Sequence, residues 1–188
     1  MAKSNQRIRA ERSKPTSAAQ AVCNQKLSLS GLELKLAANF NGKDHVLTFT
    51  YDDRHLPQDK NAGAVVFQKF IRDLRDVRRK RGEDLKYIFV TEGAHAQREE
   101  DGVLENERIH HHAVINAVGP GDLEELRSLW VFGGYLRSDQ LEGCGCPALA
   151  GYLTREAREF GRQKSGEWTW RASRNLNHFR GKSTSWTS

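Results

Sequence analysis

Arg108-Ile109-His110-His111-His112-Ala113-Val114-Ile115-Asn116 is the stretch on which the reading of this chain turns. It is an apolar run with three imidazoles at one end. On a β-strand, residues two apart point the same way. His110 and His112 therefore share one face, and His111 joins Ile109, Ala113 and Ile115 on the other. Two imidazoles side by side form a metal clamp that needs one further acidic or polar partner. The expected neighbour is a strand over residues 86–92, whose last residue, Glu92, stands just before Gly93 and can supply a carboxylate. The competing reading is a polar surface patch. Surface histidines are common, but a run of them inside an apolar strand is not, which favours metal for His110 and His112. For His111 the balance reverses towards packing or hydrogen bonding on the opposite face. Glu92 stands evenly between ligand and solvated strand end. His45, His55, His95 and His178 are isolated and read as surface or loop residues.

Outward from that strand, residues 1–26 are polar and basic (Lys3, Arg7, Arg9, Arg12, Lys14) without a period, and are expected to form a mobile arm. Residues 29–40 and 45–51 are read as two strands separated by the Asn41-Gly42 turn signal. Residues 62–81 carry a helical stripe of Phe67, Phe70, Ile71, Leu74 and Val77, with Gly82 placed to cap it. Residues 97–107 are expected to be a polar loop or hairpin tip, 109–118 a strand, 122–129 a short helix and 130–137 a strand. A helix over 148–160 follows the turn Gly143-Cys144-Gly145-Cys146-Pro147, and 167–172 is read as a last strand. The folded domain is expected over 27–181 and a Ser/Thr-rich tail over 182–188. This order predicts an α+β fold, an antiparallel central sheet with helices on one face.

The chain has 188 residues, enough for one domain with a hydrophobic core. Lys and Arg total 30 against 24 Asp and Glu, a balance of +6 that suits a polyanionic partner. No apolar run is long enough to cross a membrane and no signal-peptide core is seen, so the expectation is a soluble, intracellular protein. The 3 cysteines have no disulfide-like spacing, which fits a reducing compartment. Cys144 and Cys146 lack a second pair that would complete a zinc site, and read as a structural turn.

On the predicted helix after that turn, Tyr152, Arg155 and Glu156 share a face, while Leu149, Leu153, Ala157 and Phe160 can face the core. A tyrosine beside a cation is what phosphodiester transesterification needs, because positive charge stabilises the phenolate and the transition state. Arg155 stays protonated, so it can hold a phosphate but cannot act as the base. Alone the pattern is weak: a helical Tyr is usually a core-edge residue, and an Arg–Glu pair is usually surface solvation.

Together these features resemble the rolling-circle replication initiators of the HUH endonuclease superfamily. Arg108–Asn116 is similar to their Arg-x-His-x-His strand, and Tyr152–Glu156 to their Tyr-x-x-Lys-Glu motif. Val46–Tyr51 resembles their first motif, Tyr87–Gly93 a strand of the phage members, and Trp168–Leu176 the segment after their tyrosine helix. The resemblance spans residues 44–176. There are three departures from the pattern: His111 replaces a bulky apolar residue, Arg155 replaces the lysine, and Ala148 and Gly151 stand where some phage relatives carry a first tyrosine and a lysine. A single-tyrosine enzyme is implied. The resemblance implies an HUH fold (ferredoxin-like or RRM-like), Mg²⁺ or Mn²⁺ on His110, His112 and Glu92, and attack by Tyr152 on single-stranded DNA or an origin hairpin. A 5′-phosphotyrosine link results. Arg108, Arg171, Arg174 and Lys182 are candidates to line the DNA path, and Trp168 or Trp170 to stack on bases. Lacking a Gly-x-x-x-x-Gly-Lys-[Ser/Thr] loop, the protein would draw its helicase and polymerase from the host cytoplasm. The competing readings are a metal hydrolase with water as nucleophile, a relaxase or transposase of the same superfamily, and a non-catalytic single-strand binding module.

Overall fold

The structure is a computed structural model, and it describes residues 17–93, 96–98, 104–106, 108–141, 147–159 and 169–177. The Cys144/Cys146 turn, Phe160, Trp168, Lys182, the tail over 182–188, His95, His178 and the first sixteen residues of the expected arm lie outside the described residues. The elements run Ala18–Asn39 (α1), His45–Phe49 (β1), Lys60–Lys80 (α2), Tyr87–Glu92 (β2), Ala96–Arg98 (β3), Leu104–Asn106 (β4), His110–Ile115 (β5), Asp122–Leu129 (α3), Leu136–Gln140 (β6), Pro147–Leu153 (α4), Arg155–Glu159 (α5) and Arg171–Ala172 (β7).

Five strands form one sheet in the order β6-β1-β5-β2-β7, each neighbouring pair antiparallel. The histidine strand β5 is its centre. The polar stretch expected as a hairpin tip is a separate two-stranded hairpin, β3 with β4. The α+β class with an antiparallel sheet is the one expected. Helices, however, cover both faces rather than one. Against one face, α2 and α3 pack Phe67, Phe70, Ile71, Leu74 and Leu126 onto Leu47, Phe49, Phe89, Ala113 and Ile115. Against the other, α1 and α4 pack Leu32, Leu36, Ala150 and Leu153 onto Ile88, Val90 and Val114. Alternation along β5 feeds both layers, so its whole apolar half is buried.

Two elements differ from expectation. Residues 29–39 are not part of a strand but the second half of α1, with Phe40 as its C-cap, and α1 also takes in residues 18–26 of the expected arm. Leu32, Leu34 and Leu36 alternate as a strand would, yet Leu32 and Leu36 are buried while Leu34 is exposed. The buried pair has the i, i+4 spacing of a helix. Ser17 caps the N-terminus by accepting the Gln20 N–H at 3.2 Å. The strand expected over 130–137 begins only at Leu136. Gly133 and Gly134 both have positive φ, which breaks the extended run. Trp130 is instead a core residue, its indole N–H donating to the Thr50 carbonyl at 2.9 Å. The helix expected over 148–160 is divided at Thr154 into α4 and α5.

Candidate metal centre and tyrosine

The sheet register brings the carboxylate to the histidines. Glu92 at the end of β2 stands directly opposite His110 on β5, and opposite residues of an antiparallel pair share a face. Glu92 Oε2 lies 3.8 Å from His110 Nε2 and 3.6 Å from His112 Nε2. The two Nε2 atoms are 3.1 Å apart. All three ligand atoms fall within 4.8 Å of one another, and Glu92 and His112 are buried.

The ring orientations suit a cation. His110 Nδ1 lies 2.9 Å from the Arg108 carbonyl, which can only accept, so this nitrogen carries the proton and leaves Nε2 as a bare lone pair. His112 Nδ1 lies 3.0 Å from Thr48 Oγ1, its cross-strand neighbour on β1. With the proton there too, both Nε2 lone pairs converge beside the Glu92 carboxylate. Such partners on the far ring nitrogen orient metal-binding histidines. Burial, and after it the electrostatic influence of His110 and Arg155, push His112 down to about 4. The ring is therefore neutral near pH 7, the form that binds metal. The donor set of two imidazoles and a carboxylate fits a divalent cation.

His111 points the other way, as expected, into the layer beneath α2. Burial pushes the Tyr51 phenol up, so its O–H donates to His111 Nε2 at 2.6 Å, and His111 Nδ1–H donates to Thr91 Oγ1 at 3.0 Å. The ring stacks near Phe67 at 4.5 Å between centroids. Burial, then its neighbours His110 and His112, lower its pKa well below the ordinary value.

Tyr152 reaches the same place from α4, which is anchored by Ala150 and Leu153. Its Oη lies 3.1 Å from His112 Nε2, and the phenol ring meets the imidazole edge-on at 4.8 Å. Its side of the site is open: Tyr152 is 44% exposed. The Arg155 guanidinium lies 5.7 Å from the centre of the tyrosine ring. Glu156, read in sequence as surface solvation, is buried. It accepts the Gly93 N–H at 3.0 Å and is ion-paired with Lys60. Neither Lys60 nor Thr48 carries a sequence signal that would single it out. Both gain their place from residues distant in the chain.

The expected DNA-path residues divide. Arg108 stands at the lead-in to β5, exposed, paired with Asp53 and donating to the Tyr51 carbonyl. Arg171 is opposite Phe89 on β7, so it lies on the face away from Tyr152. Arg174 follows Ser173, which bonds Tyr87 at the far end of β2 from Glu92, about 17 Å along the strand. Trp170 is half-buried and donates to Ser28 Oγ at 3.1 Å, which ties it to α1. The structure therefore does not bring Arg171, Arg174 or Trp170 to the site.

No curated protein and no solved structure gives a significant match to this chain. A family model does, that of the ORF2-type replication-associated proteins, over residues 44–159. The matched segment takes in β1 to α5 and so both the Glu92–His110–His112 cluster and Tyr152, leaving α1 and β7 outside. It covers more than half of the sequence, and the chain belongs to this ORF2-type family of replication-associated proteins.

Proposed function

We propose that this protein is an HUH-type endonuclease that nicks and rejoins single-stranded DNA through Tyr152, and so starts rolling-circle replication. The family membership supports a role in replication initiation. The observation that carries the chemistry is the placement of the Tyr152 hydroxyl 3.1 Å from His112 Nε2, at the edge of the cluster of Glu92, His110 and His112.

Glu92, His110 and His112 would hold Mg²⁺ or Mn²⁺, which supplies Lewis-acid polarisation of a phosphate oxygen when bound. The protein's own residues do the rest. Tyr152 gives its proton to solvent water and its oxygen bonds to the phosphorus, while water returns a proton to the departing 3′ oxygen. The P–O3′ bond breaks, and the 3′ oxygen leaves as a hydroxyl. One phosphodiester is exchanged for another, so the strand can be rejoined by the reverse step without ATP. Arg155, near the phenol ring, stabilises the negative charge that develops on the tyrosine oxygen. Arg108, exposed at the entrance to β5, would meet a phosphate by exchanging it for Asp53. The 3′-hydroxyl primes a host polymerase, and a host helicase opens the duplex.

The test is a covalent-adduct assay with single-stranded oligonucleotides from the replicon, run with Mn²⁺ or EDTA beside Tyr152→Phe. A metal-dependent shifted band that disappears in Tyr152→Phe is expected. Cleavage that persists in the variant without an adduct assigns the nucleophile to water instead. Metal-independent binding without cleavage reduces the protein to a single-strand binding module.

A further inference from the structure

Glu156 is a buried carboxylate that the proposed reaction does not use. Its two oxygens join three separate elements. Oε2 accepts the N–H of Gly93, the residue directly after Glu92. Oε1 is ion-paired with the ammonium of Lys60. Lys60 is the first residue of α2, a helix that packs on the face of the sheet opposite Tyr152. The ion pair therefore spans the end of the sheet from one face to the other. Gly93 has φ +105°, and a Cβ there would meet the Arg108 carbonyl oxygen at 2.5 Å. The backbone after Glu92 is thus threaded closely between the lead-in to β5 and Glu156.

Tyr152 and Glu156 are one turn apart, but the helix is interrupted between them at Thr154, whose hydroxyl turns back to the Ala150 carbonyl at 2.8 Å. A buried ion pair adds little net stability, because desolvation offsets its attraction. What it can add is geometry. We propose that Lys60 and Glu156 are a positioning pair that locks the tyrosine helix to the end of the Glu92 strand, setting both the carboxylate ligand and the Tyr152 hydroxyl. Its kinetic consequence rests on the nicking reading, whereas its consequence for metal affinity does not.

Single-turnover adduct formation at saturating Mn²⁺ and oligonucleotide tests the pair in Lys60→Met, Glu156→Gln and the double variant. Mn²⁺ affinity is measured by calorimetry on each protein without DNA, and folding by circular dichroism. The double variant removes both charges of the pair together, so it retains the fold where a single change leaves one of the two behind. Each variant is expected to lose about 10- to 100-fold in rate constant, with the oligonucleotide concentration that half-saturates the single-turnover rate, measured in a separate titration, unchanged. Mn²⁺ affinity is expected to fall about tenfold. The double variant should be no worse than the worse single, because both residues serve one contact. A wild-type rate or a wild-type affinity in the folded double variant overturns the proposal, as do losses that simply add. A double variant that fails to fold overturns it too, since the pair is then an element of stability. If the wild-type protein binds Mn²⁺ but forms no adduct, the nicking reading falls alone and affinity decides the pair. If it binds no Mn²⁺, both fall.

Discussion

His112 is hydrogen-bonded at both ring nitrogens, to Thr48 at Nδ1 and to Tyr152 at Nε2. It is also buried and kept neutral, protonating only at about pH 4. His111, in the apolar layer behind it, is shifted in the same direction. This has a consequence for the metal-free protein. Above pH ~6.5 these rings are neutral in both the folded and the unfolded chain. As the pH falls below that value, the unfolded chain takes up protons that the folded protein does not, so stability is lost. For His112 the loss accumulates between pH ~6.5 and ~4 and reaches on the order of 3 kcal/mol, and His111 adds to it. Urea unfolding of the metal-free protein between pH 7 and 4.5 should show the midpoint falling steadily. A midpoint that stays level across this window contradicts the neutral, buried assignment. At this scale the sequence was informative. The two faces of the histidine run follow from strand alternation alone, and His111 lies on the opposite face as that alternation requires. Glu156 was not legible, because its ion-pair partner Lys60 lies ninety-six positions away.

Among the elements, α2 was the easiest to read and α1 the hardest. The stripe of Phe67, Phe70, Ile71 and Leu74 is buried on one side, and Gly82 takes the positive φ expected of a C-terminal cap. The Leu-Ser-Leu-Ser and Leu-Glu-Leu-Lys-Leu runs of α1 satisfy a strand period as well as a helical one. What settles the period is which leucines find partners in the sheet. Gly63 shows how closely α2 is seated behind the histidine strand. A Cβ there would stand 2.9 Å from Ile109 Cγ2, 3.4 Å from Thr91 Cγ2 and 3.6 Å from His111 Cε1. Gly63→Leu should therefore push the start of α2 away from β5 and β2, at a cost of about 1–3 kcal/mol or more. It should lower the thermal midpoint despite the better helix propensity of leucine. A raised or unchanged midpoint shows that the contact yields freely.

For the molecule as a whole, the family match begins at residue 44, after α1. Yet Leu32, Leu36 and Phe40 complete the core on the Tyr152 face, and Gln25 donates to the Ala157 carbonyl beside the tyrosine helix. A chain started at residue 43 should lose upwards of about 5 kcal/mol of buried apolar contact, a large share of a domain's stability. It should melt without a sharp transition and bind a hydrophobic dye. A cooperative melt in the shortened chain shows instead that the matched segment folds by itself. Sequence alone determined the strand that carries the histidines, the face each imidazole takes, the amphipathic helix α2 and the pairing of a tyrosine with Arg155, because these depend on periods of two or of about 3.6 residues along one segment. Tertiary structure decided that Glu92 stands opposite His110, that Tyr152 reaches His112, that Arg171 and Arg174 lie elsewhere, and that Lys60 meets Glu156. Register and the packing of helices on both faces join residues far apart in the chain, and no local period encodes those distances.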